Sequence, residues 1–265
     1  MVTDRLEARE ETSVKALYQD ERVAETYLQQ RFTSAWGRLL HERQVKILNH
    51  VIASRRIRSA LELAPGPARL AAELREIETG VMIDDSEPMI AIARRRLREA
   101  NLLGVWQVRH GSAFDLGGVD RRFDLVFTFR FIRHFERAER QRLYRQIAER
   151  MSPEGLLVFD VVDRPVRERI DANRTADPSE LSVYDALHTE EELRREMRAS
   201  GFAVLELHGV VRHFGLQAAV SHRLGARLPR LADIFVRLAE RVPSRSPLEW
   251  VCVCRKTSAA ATRTS

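Results

Sequence analysis

The first patterned stretch of the chain, from about Ser13 to Ser54, has apolar residues at intervals of three and four. This spacing places them on one face of an α-helix, so we expect the stretch to be helical. The apolar positions are Val14, Leu17, Tyr18, Leu39, Leu40, Val45, Leu48, Val51 and Ile52. Residues 1–12 and 257–265 are polar or small, and we expect them to be frayed.

After Ser54 the pattern changes to short apolar runs that alternate with helical stretches. The runs predict seven strands, at Ser59–Ala64, Thr79–Ile83, Val105–Val108, Phe123–Phe127, Leu156–Val162, Phe202–Val211 and Leu248–Cys254. The stretches between them predict helices at Ala68–Arg75, after Ser86, at Arg137–Met151, from Thr189 to Gly201, and over residues 216–242 with a break at Pro229. Residues 152–155 predict a turn, and residues 163–187 predict a polar inserted loop or small cap.

The fifth of these runs, Leu156–Val162, is apolar at nearly every position. A strand of this kind is buried on both faces, as in a parallel sheet with helices on either side. We therefore expect an α/β fold: a doubly wound, mostly parallel, Rossmann-like sheet of seven strands, with N-terminal lid helices and a small inserted cap. Such sheets bind ligands beyond the carboxyl ends of the strands. The loops after the first four strands are therefore the candidate positions for functional residues.

Composition narrows the class of protein. The chain has 265 residues, enough for one large domain, and no run of about 18 apolar residues that would predict a membrane-spanning helix. The charged N-terminus lacks the apolar segment of a signal peptide. The two cysteines, Cys252 and Cys254, are too few for a four-ligand zinc site or a disulfide scaffold. We expect a cytoplasmic protein without a bound metal.

The net charge of +6 raises the question of a nucleic-acid partner. Only three of the 44 basic residues are lysine, and the arginines are interleaved with glutamates, as in FERAERQRLYRQIAER. That pattern is typical of solvent-exposed helix faces with ion pairs between neighbouring turns. Since nucleic-acid binding needs basic residues clustered on one face, we expect no nucleic-acid partner.

The turn after the first predicted strand reads ELAPGPAR over residues 62–69. Dinucleotide-binding turns carry three glycines, which let the backbone approach a pyrophosphate. Here Gly66 is the one glycine, and the flanking Pro65 and Pro67 lack N–H donors. The turn therefore suits a ligand without phosphate, with Glu62 facing a positive group. An ordinary strand-to-helix turn is the alternative.

Asp84 ends the second predicted strand, about twenty residues after that turn. A carboxylate at this place can accept hydrogen bonds from the hydroxyls of a ribose. The alternative is an acid that stabilises the following helix through its dipole, a role that suits Asp85 better.

Four segments resemble, in this order and spacing, the successive motifs of class I S-adenosylmethionine-dependent methyltransferases. They are ALELAPGPARLA, GVMIDDSEPMIAIARRRL, HGSAFDL and FDLVFTFRFIRHF. The resemblance covers residues 57–162 and implies an enzyme with S-adenosylmethionine as its cofactor. The domains it implies are an N-terminal helical lid over 1–56, a methyltransferase domain over 57–256 with substrate-side insertions at 163–187 and 212–246, and a disordered tail over 257–265.

The resemblance also implies a cofactor-binding set arranged around the parts of S-adenosylmethionine. The expected residues are Glu62, Ala64 and Gly66 around the methionine, Asp84 at the ribose, Asp85 and Met89 flanking the adenine, Ser112, Ala113 and Phe114 at the adenine edge, Phe129 and Arg130 beside the sulfonium and carboxylate, and Tyr27 and Arg31 closing over the methionine end.

The chain departs from the family pattern in two places. Pro65, Pro67 and Ala68 replace the usual second and third glycines of the first motif. Ser112 stands where the family often has an acid, so a hydroxyl would hold the adenine amino group. Both departures leave the strength of cofactor binding to be measured.

Methyl transfer from a sulfonium is an in-line displacement, so alignment of the reactants supplies most of the acceleration. An oxygen nucleophile of high pKa also needs a base. His134, in the segment FIRHF after the fourth strand, is our catalytic candidate, and a structural role in packing that loop is the alternative. Tyr184, His188 and His213 are candidates for lining the acceptor pocket, with ordinary loop positions as the alternative.

The segment after the fourth strand reads FTFR rather than the Asn/Asp-Pro-Pro-Tyr/Phe motif of nucleic-acid amino-methyltransferases. Both cysteines lie in the last predicted strand, away from a covalent catalytic role. We therefore expect a small-molecule acceptor, methylated on oxygen or nitrogen. Methylation of RNA or protein, and a catalytically weak cofactor-binding interaction module, stay open as alternatives, whereas the missing glycines disfavour an NAD-dependent reductase.

Overall fold

The computed structural model describes residues 32–172 and 184–257. Its helices are α1 (Ala35–Arg55), α2 (Glu87–Glu99), α3 (Arg137–Arg150), α4 (Arg164–Ala172), α5 (Glu190–Ala199), α6 (Phe214–Leu224) and α7 (Pro229–Arg241). Its strands are β1 (Ser59–Leu63), β2 (Thr79–Asp84), β3 (Trp106–His110), β4 (Phe123–Thr128), β5 (Met151–Asp163), β6 (Leu187–His188), β7 (Phe202–Val210) and β8 (Glu249–Lys256).

The strands form one sheet in the order β3-β2-β1-β4-β5-β8-β7, with the short β6 paired to the end of β5. β1 to β5 run parallel, and β8 runs antiparallel to both of its neighbours. The predicted doubly wound, mostly parallel sheet is confirmed, and β6 is an eighth strand beyond the predicted seven. The strand order reverses between β1 and β4, so ligands are expected beyond the carboxyl ends of these two strands.

Apolar side chains cover both faces of this sheet. Ala60 of β1 packs in the same core cluster as Leu48 of α1. The next residue, Leu61, packs in a second cluster that contains Leu143 of α3 and Leu193 of α5. Because successive strand residues point to opposite faces, this division places helices on both sides of the sheet.

The helical pair α6–α7 lies against the N-terminal half of α1. Ala232 and Val236 of α7 share a small apolar cluster with Ala35 and Leu39 of α1. The predicted break at Pro229 is confirmed, since α7 begins at this residue. Among the described residues, no helix is both long enough and apolar enough to cross a membrane.

Two local predictions were wrong. The helix expected at Ala68–Arg75 is reduced to a 3₁₀ turn at Ala71–Glu73, because Ala68 adopts a positive φ of 51° and Leu74 is extended. The turn expected at residues 152–155 lies inside β5, where the pairing shifts from Phe123–Met151 to Leu125–Leu156. Of the two structures expected for the segment 163–187, an inserted loop or a small cap, the described part contains α4 and the start of β6, and the small cap stays a prediction.

Candidate functional site

The loop after β1 contains three alternate residues in the left-handed backbone region. Ala64, Gly66 and Ala68 have φ values of 49°, 54° and 51°. This conformation costs an alanine about 1–2 kcal/mol and costs glycine nothing. The backbone conformation that favours glycine therefore occurs at these three residues. Pro65 and Pro67 lie between them, so the two prolines do not occupy positions that favour glycine.

Open space surrounds the middle of this loop. A Cβ built on Gly66 would meet one atom within 4 Å, the sulfur of Met89 at 3.9 Å. Met89 is itself buried in the first turn of α2, where its N–H is bonded to the Ser86 hydroxyl at 3.3 Å. A ligand can therefore approach the backbone of Gly66 closely, with Met89 beneath it.

The carboxylate of Asp84 ties the loop to the end of β2. Its Oδ2 accepts the N–H of Gly66 and its Oδ1 accepts the N–H of Ser86, each over 2.9 Å. The backbone N–H of Asp85 also donates to this carboxylate, and burial raises the pKa of Asp84 to about 6 against the effect of the three hydrogen bonds. Because a carboxylate has about four lone-pair sites, Asp84 can still accept a ligand hydroxyl. Asp85, one residue further, is only half-buried.

Glu62 of β1 supplies a buried acceptor at the same end of the sheet. Its side chain is 3% exposed, and its Oε2 has no hydrogen-bond partner among the described residues. Burial raises the pKa of Glu62 well above its usual value, and the nearby Arg69 only partly offsets this. Such an atom is costly to leave without a partner, so it fits a positively charged or N–H-bearing ligand group.

The segment after β3 forms a tight turn at the neighbouring strand end. The hydroxyl of Ser112 accepts the N–H of Phe114 at 3.2 Å, and Ala113 between them is buried. The ring of Phe114 lies edge-to-face with Phe135, with centroids 4.9 Å apart, and 6.4 Å from Phe131. This small aromatic group connects the turn after β3 with the loop after β4.

The residues after β4 differ in their surroundings. Phe129 is buried in the core cluster on the α1 side of the sheet. Arg130 has a positive φ of 59°, and its N–H donates to Asp160 Oδ1 over 2.6 Å. Its guanidinium lies 3.8 Å from Glu249, and its Nε has no partner among the residues described.

A buried ion network that the sequence analysis did not single out lies beneath this loop. The guanidinium of Arg133 is 3.1 Å from Asp160, 2.7 Å from Glu249 and 3.0 Å from Asp185. These carboxylates keep the pKa of Arg133 above its usual value despite burial. The available signal was a single acid within an apolar strand, Asp160 in LLVFDVV and Glu249 in LEWVCVC.

The network continues to the loop after β1 through α1. Gln44 donates to Glu249 over 3.4 Å and accepts from Arg69 over 2.7 Å. The Arg69 guanidinium also lies 2.7 Å from His41 Nδ1 and 4.3 Å from the centre of the Phe32 ring. The loops after β1 and β4 are therefore joined by buried polar contacts as well as by the sheet.

His134 lies in the 3₁₀ turn Ile132–His134 that follows β4, and its imidazole is held from one side. Nδ1 is 2.9 Å from the carbonyl oxygen of Tyr184 and 3.3 Å from a carboxylate oxygen of Asp185. Since a carbonyl oxygen can only accept, Nδ1 carries the proton and Nε2 keeps its lone pair. Nε2 is buried and has no hydrogen-bond partner in the described ranges. Burial and the charge of Arg133 lower the pKa of His134 to about 4, so the ring is neutral.

The remaining candidates fall into two groups. Tyr27 and Arg31 lie outside the described residues. Tyr184 meets His134 through its backbone, whereas His188 Nε2 is 3.2 Å from Glu196 and His213 Nε2 is 3.2 Å from the carbonyl oxygen of Val242. The contacts of His188 and His213 are those of structural side chains.

Comparison with known proteins finds matches to methyltransferases. Residues 60–155 match the model of a methyltransferase domain. The ubiquinone biosynthesis O-methyltransferase of Azorhizobium caulinodans is 27% identical over 150 residues, which are 54% of this chain and 55% of the relative. The chain thus spans about half the length of this curated relative.

Solved structures share the fold at low sequence identity. The magnesium protoporphyrin IX methyltransferase of Synechocystis PCC 6803 superposes with a TM-score of 0.58 at 12% identity, over 84% of this chain and 86% of that one. An S-adenosylmethionine-dependent methyltransferase of Clostridium acetobutylicum gives 0.59 at 10% identity, over 82% and 92%. The (4+2)-cyclase SpnF gives 0.55 at 21% identity, over 81% and 82%. Residues 60–155 of this chain thus match a methyltransferase domain, and the sheet has the fold of S-adenosylmethionine-dependent methyltransferases.

Proposed function

We propose that the protein transfers the methyl group of S-adenosylmethionine to a small-molecule acceptor, on oxygen or nitrogen. The observation that carries this proposal is the cradle formed by the left-handed loop Ala64–Ala68, the Asp84 carboxylate bonded to Gly66, and the buried oxygen of Glu62 that lacks a partner. The bound cofactor would supply a methyl group on a positively charged sulfur, which the acceptor displaces in line.

The charged groups of the site fit the two ends of the methionine part. Glu62 would accept a hydrogen bond from the cofactor ammonium, which stabilises the ionised carboxylate that burial otherwise disfavours. Arg130 would hold the cofactor carboxylate, with Phe129 beside it. Ala64 and Gly66 would leave their backbone open to the methionine chain. Tyr27 and Arg31, outside the described residues, would close over this end.

The nucleoside part would lie between the ends of β2 and β3. Asp84 would accept the ribose hydroxyls with its remaining lone pairs, while Asp85 and Met89 flank the adenine. Ser112, Ala113 and Phe114 would form the adenine edge of the site. The Ser112 hydroxyl oxygen, which accepts the Phe114 N–H, has a second lone pair that would accept a hydrogen bond from the adenine amino group.

We propose His134 as the general base for an acceptor hydroxyl. Its neutral ring presents the bare Nε2, and the Tyr184 carbonyl oxygen together with Asp185 fixes the tautomer that this role requires. Proton uptake at Nε2 would be stabilised by Asp185, while Arg133 and Arg130 oppose it. The alternative is a structural role for His134 in packing the loop after β4, and the same contact of Nδ1 would serve that role.

The acceptor side would be formed by the segments 163–187 and 212–246. Tyr184 and Asp185 of the first segment already contact the loop that carries His134. The second segment packs on α1, which reaches the site through Gln44.

A small molecule is favoured over RNA because several helix-borne arginines are paired with glutamates four residues away, such as Arg194 with Glu190. We also propose a cytoplasmic location for the protein.

The test is an assay with S-adenosylmethionine labelled in its methyl group, against panels of phenols, carboxylates, amines, short RNAs and peptides. The proposal predicts label in a phenol, carboxylate or amine product together with S-adenosylhomocysteine. Label only in RNA or peptide would favour the alternative acceptors. Cofactor binding without any labelled product would favour a non-methylating role, for which the shared fold of a cyclase is a precedent.

A further inference from the structure

The outer face of α7 carries a continuous stripe of exposed apolar side chains. The stripe consists of Leu231, Ile234, Phe235, Leu238 and Val242, which are 44–54% exposed. At about 100° per residue the four positions within α7 fall in one arc of the helix, and Val242 is the extended residue that follows its last turn. The opposite contacts of α7 are made by Ala232 and Val236, which are fully buried toward α1. The stripe is therefore a second apolar face, about half exposed in the part of the chain that the structure describes.

Exposed arginines accompany this stripe. Arg230, Arg237 and Arg241 lie along one edge of it, about 100° round the helix from its centre. Further exposed arginines stand near both ends of α7, at positions 223, 227 and 245. Arg237 is paired with Glu42, whereas the other five make no ion pair within the described part of the chain.

The two acids of this region are already engaged. Asp233 is 2.6 Å from Arg38 of α1, and Glu240 is buried, accepting the N–H of Arg212 over 2.8 Å. The surface around the stripe is therefore strongly positive with no acid of its own to neutralise it. Such a surface favours an anionic partner.

We propose that the α6–α7 pair docks the protein on an anionic lipid surface, with α7 lying in the plane of the interface. A helix with aromatic and aliphatic residues on one face and arginines along its edge is the arrangement that inserts shallowly among lipid headgroups. The arginines face the negative headgroups while the stripe from Leu231 to Val242 enters the acyl boundary. A second copy fits less well, because antiparallel pairing of two stripes would bring together two rows of arginines, of which Arg230 and Arg241 make no ion pair among the described residues.

The experiment is flotation of the purified full chain with vesicles of phosphatidylcholine alone or with about one third phosphatidylserine. The proposal predicts binding to the anionic vesicles, weakening as salt rises, and little binding to the neutral ones. Phe235→Ser should reduce the partition coefficient about tenfold. The double change Arg230→Gln with Arg241→Gln should reduce it about 25-fold, at about fivefold for each charge.

Matched controls separate docking from general surface effects. Leu103→Ser removes a leucine of similar exposure in the turn before β3, and Arg98→Gln removes an exposed arginine of α2. Both should bind as the unchanged protein does, and thermal unfolding checks that every variant is folded. The experiment uses the full chain, and a lack of binding to the anionic vesicles would overturn the proposal.

Three other outcomes would overturn the proposal. One is equal binding to neutral and anionic vesicles. Another is vesicle binding that the arginine changes abolish and Phe235→Ser leaves intact, which would indicate electrostatic adsorption without insertion of the stripe. The third is a dimer in sedimentation velocity that Phe235→Ser converts to a monomer without any vesicle binding, which would assign the stripe to a second copy.

Discussion

The N–H of Gly66 donates to Oδ2 of Asp84 across 2.9 Å and joins the loop after β1 to the end of β2. The bond holds the loop in its left-handed conformation beside the acid expected at the ribose. Gly66 adopts this conformation without strain because it has no Cβ. Ala64 and Ala68 adopt the same conformation with a Cβ and are therefore strained. The cradle proposed for the cofactor depends on this bond more than on the number of glycines.

Glu62 leads to a prediction about proton release. Burial keeps its carboxyl protonated at a pH where an exposed glutamate is ionised, and a bound ammonium would ionise it. At pH 6, titration of S-adenosylmethionine in buffers of low and high ionisation enthalpy should therefore report protons released on binding. Glu62→Gln should reduce that release and weaken binding about 10–100-fold, the value of a charged hydrogen bond. Unchanged proton release in this variant would remove Glu62 from the methionine site.

The strained loop leads to a prediction about stability. Ala64 is half-buried with a φ of 49°, so Ala64→Gly relieves about 1–2 kcal/mol of strain and loses about 0.4–1 kcal/mol through the unfolded state. The variant should be as stable as the unchanged protein or more stable by up to about 1.6 kcal/mol in urea unfolding. Ala91→Gly, on the exposed face of α2, is the control and should lose about 1 kcal/mol. Equal losses in both variants would contradict the strained conformation.

His134 leads to a prediction about catalysis. His134→Asn keeps a donor for the Tyr184 carbonyl oxygen and removes the free Nε2. If Nε2 is the base, the rate of methyl transfer to a hydroxyl acceptor should fall about 10²–10⁴-fold with little change in cofactor affinity. An amine acceptor, neutral at the assay pH, should be affected much less. Full activity of the variant on a hydroxyl acceptor would assign His134 the structural role.

The same variant tests the protonation state of the ring through stability. The folded-state pKa of His134, about 4, lies below its ordinary value of 6.5, so the unfolded chain binds the proton first as pH falls. The unchanged protein should lose up to about 3 kcal/mol from this residue between pH 6.5 and pH 4, a loss that is absent in His134→Asn. Asp84 acts in the opposite sense, because its raised pKa of about 6 lowers stability as pH rises from 3.8 to 6. The difference in free energy of unfolding between the unchanged protein and His134→Asn at each pH isolates the contribution of His134, because Asp84 is present in both proteins.

The buried ion network leads to a prediction about folding. Arg133→Met would leave Asp160, Glu249 and Asp185 buried without their central cation, which typically costs about 3–5 kcal/mol. Arg195→Met removes an exposed pair with Glu191 and should change the free energy of unfolding little. Similar small losses in both variants would show that the network is dispensable.

Much of the fold follows from local pattern, because strands buried on both faces read as apolar runs and Asp84 stands at the end of one of them. The helix after Ala68 could not be predicted, since a left-handed alanine at its start has no signal in its own residue type. Residues 152–155 could not be assigned to a strand from the sequence, because they form an irregularity within β5 between the pairs Phe123–Met151 and Leu125–Leu156.

The polar centre of the site was less accessible from the sequence. Arg133 and Glu249 are 116 positions apart and meet because β8 returns antiparallel beside β5, with Val162 opposite Glu249. The Tyr184 carbonyl oxygen that fixes the His134 tautomer is 50 positions away, beyond α4. Side-chain partners at such separations are set by topology, so the residue types were visible whereas their pairing was not.

The central claim is that the loop after β1 and Asp84 hold S-adenosylmethionine, and calorimetric titration of the full chain with this cofactor tests it most directly. The account predicts one site per chain in the unchanged protein and in the control Asp120→Ala, an exposed acid before β4. It predicts an affinity about 10–100-fold lower in Asp84→Ala, where a charged acceptor is lost. No binding by the unchanged protein, or the same affinity in Asp84→Ala, would contradict it.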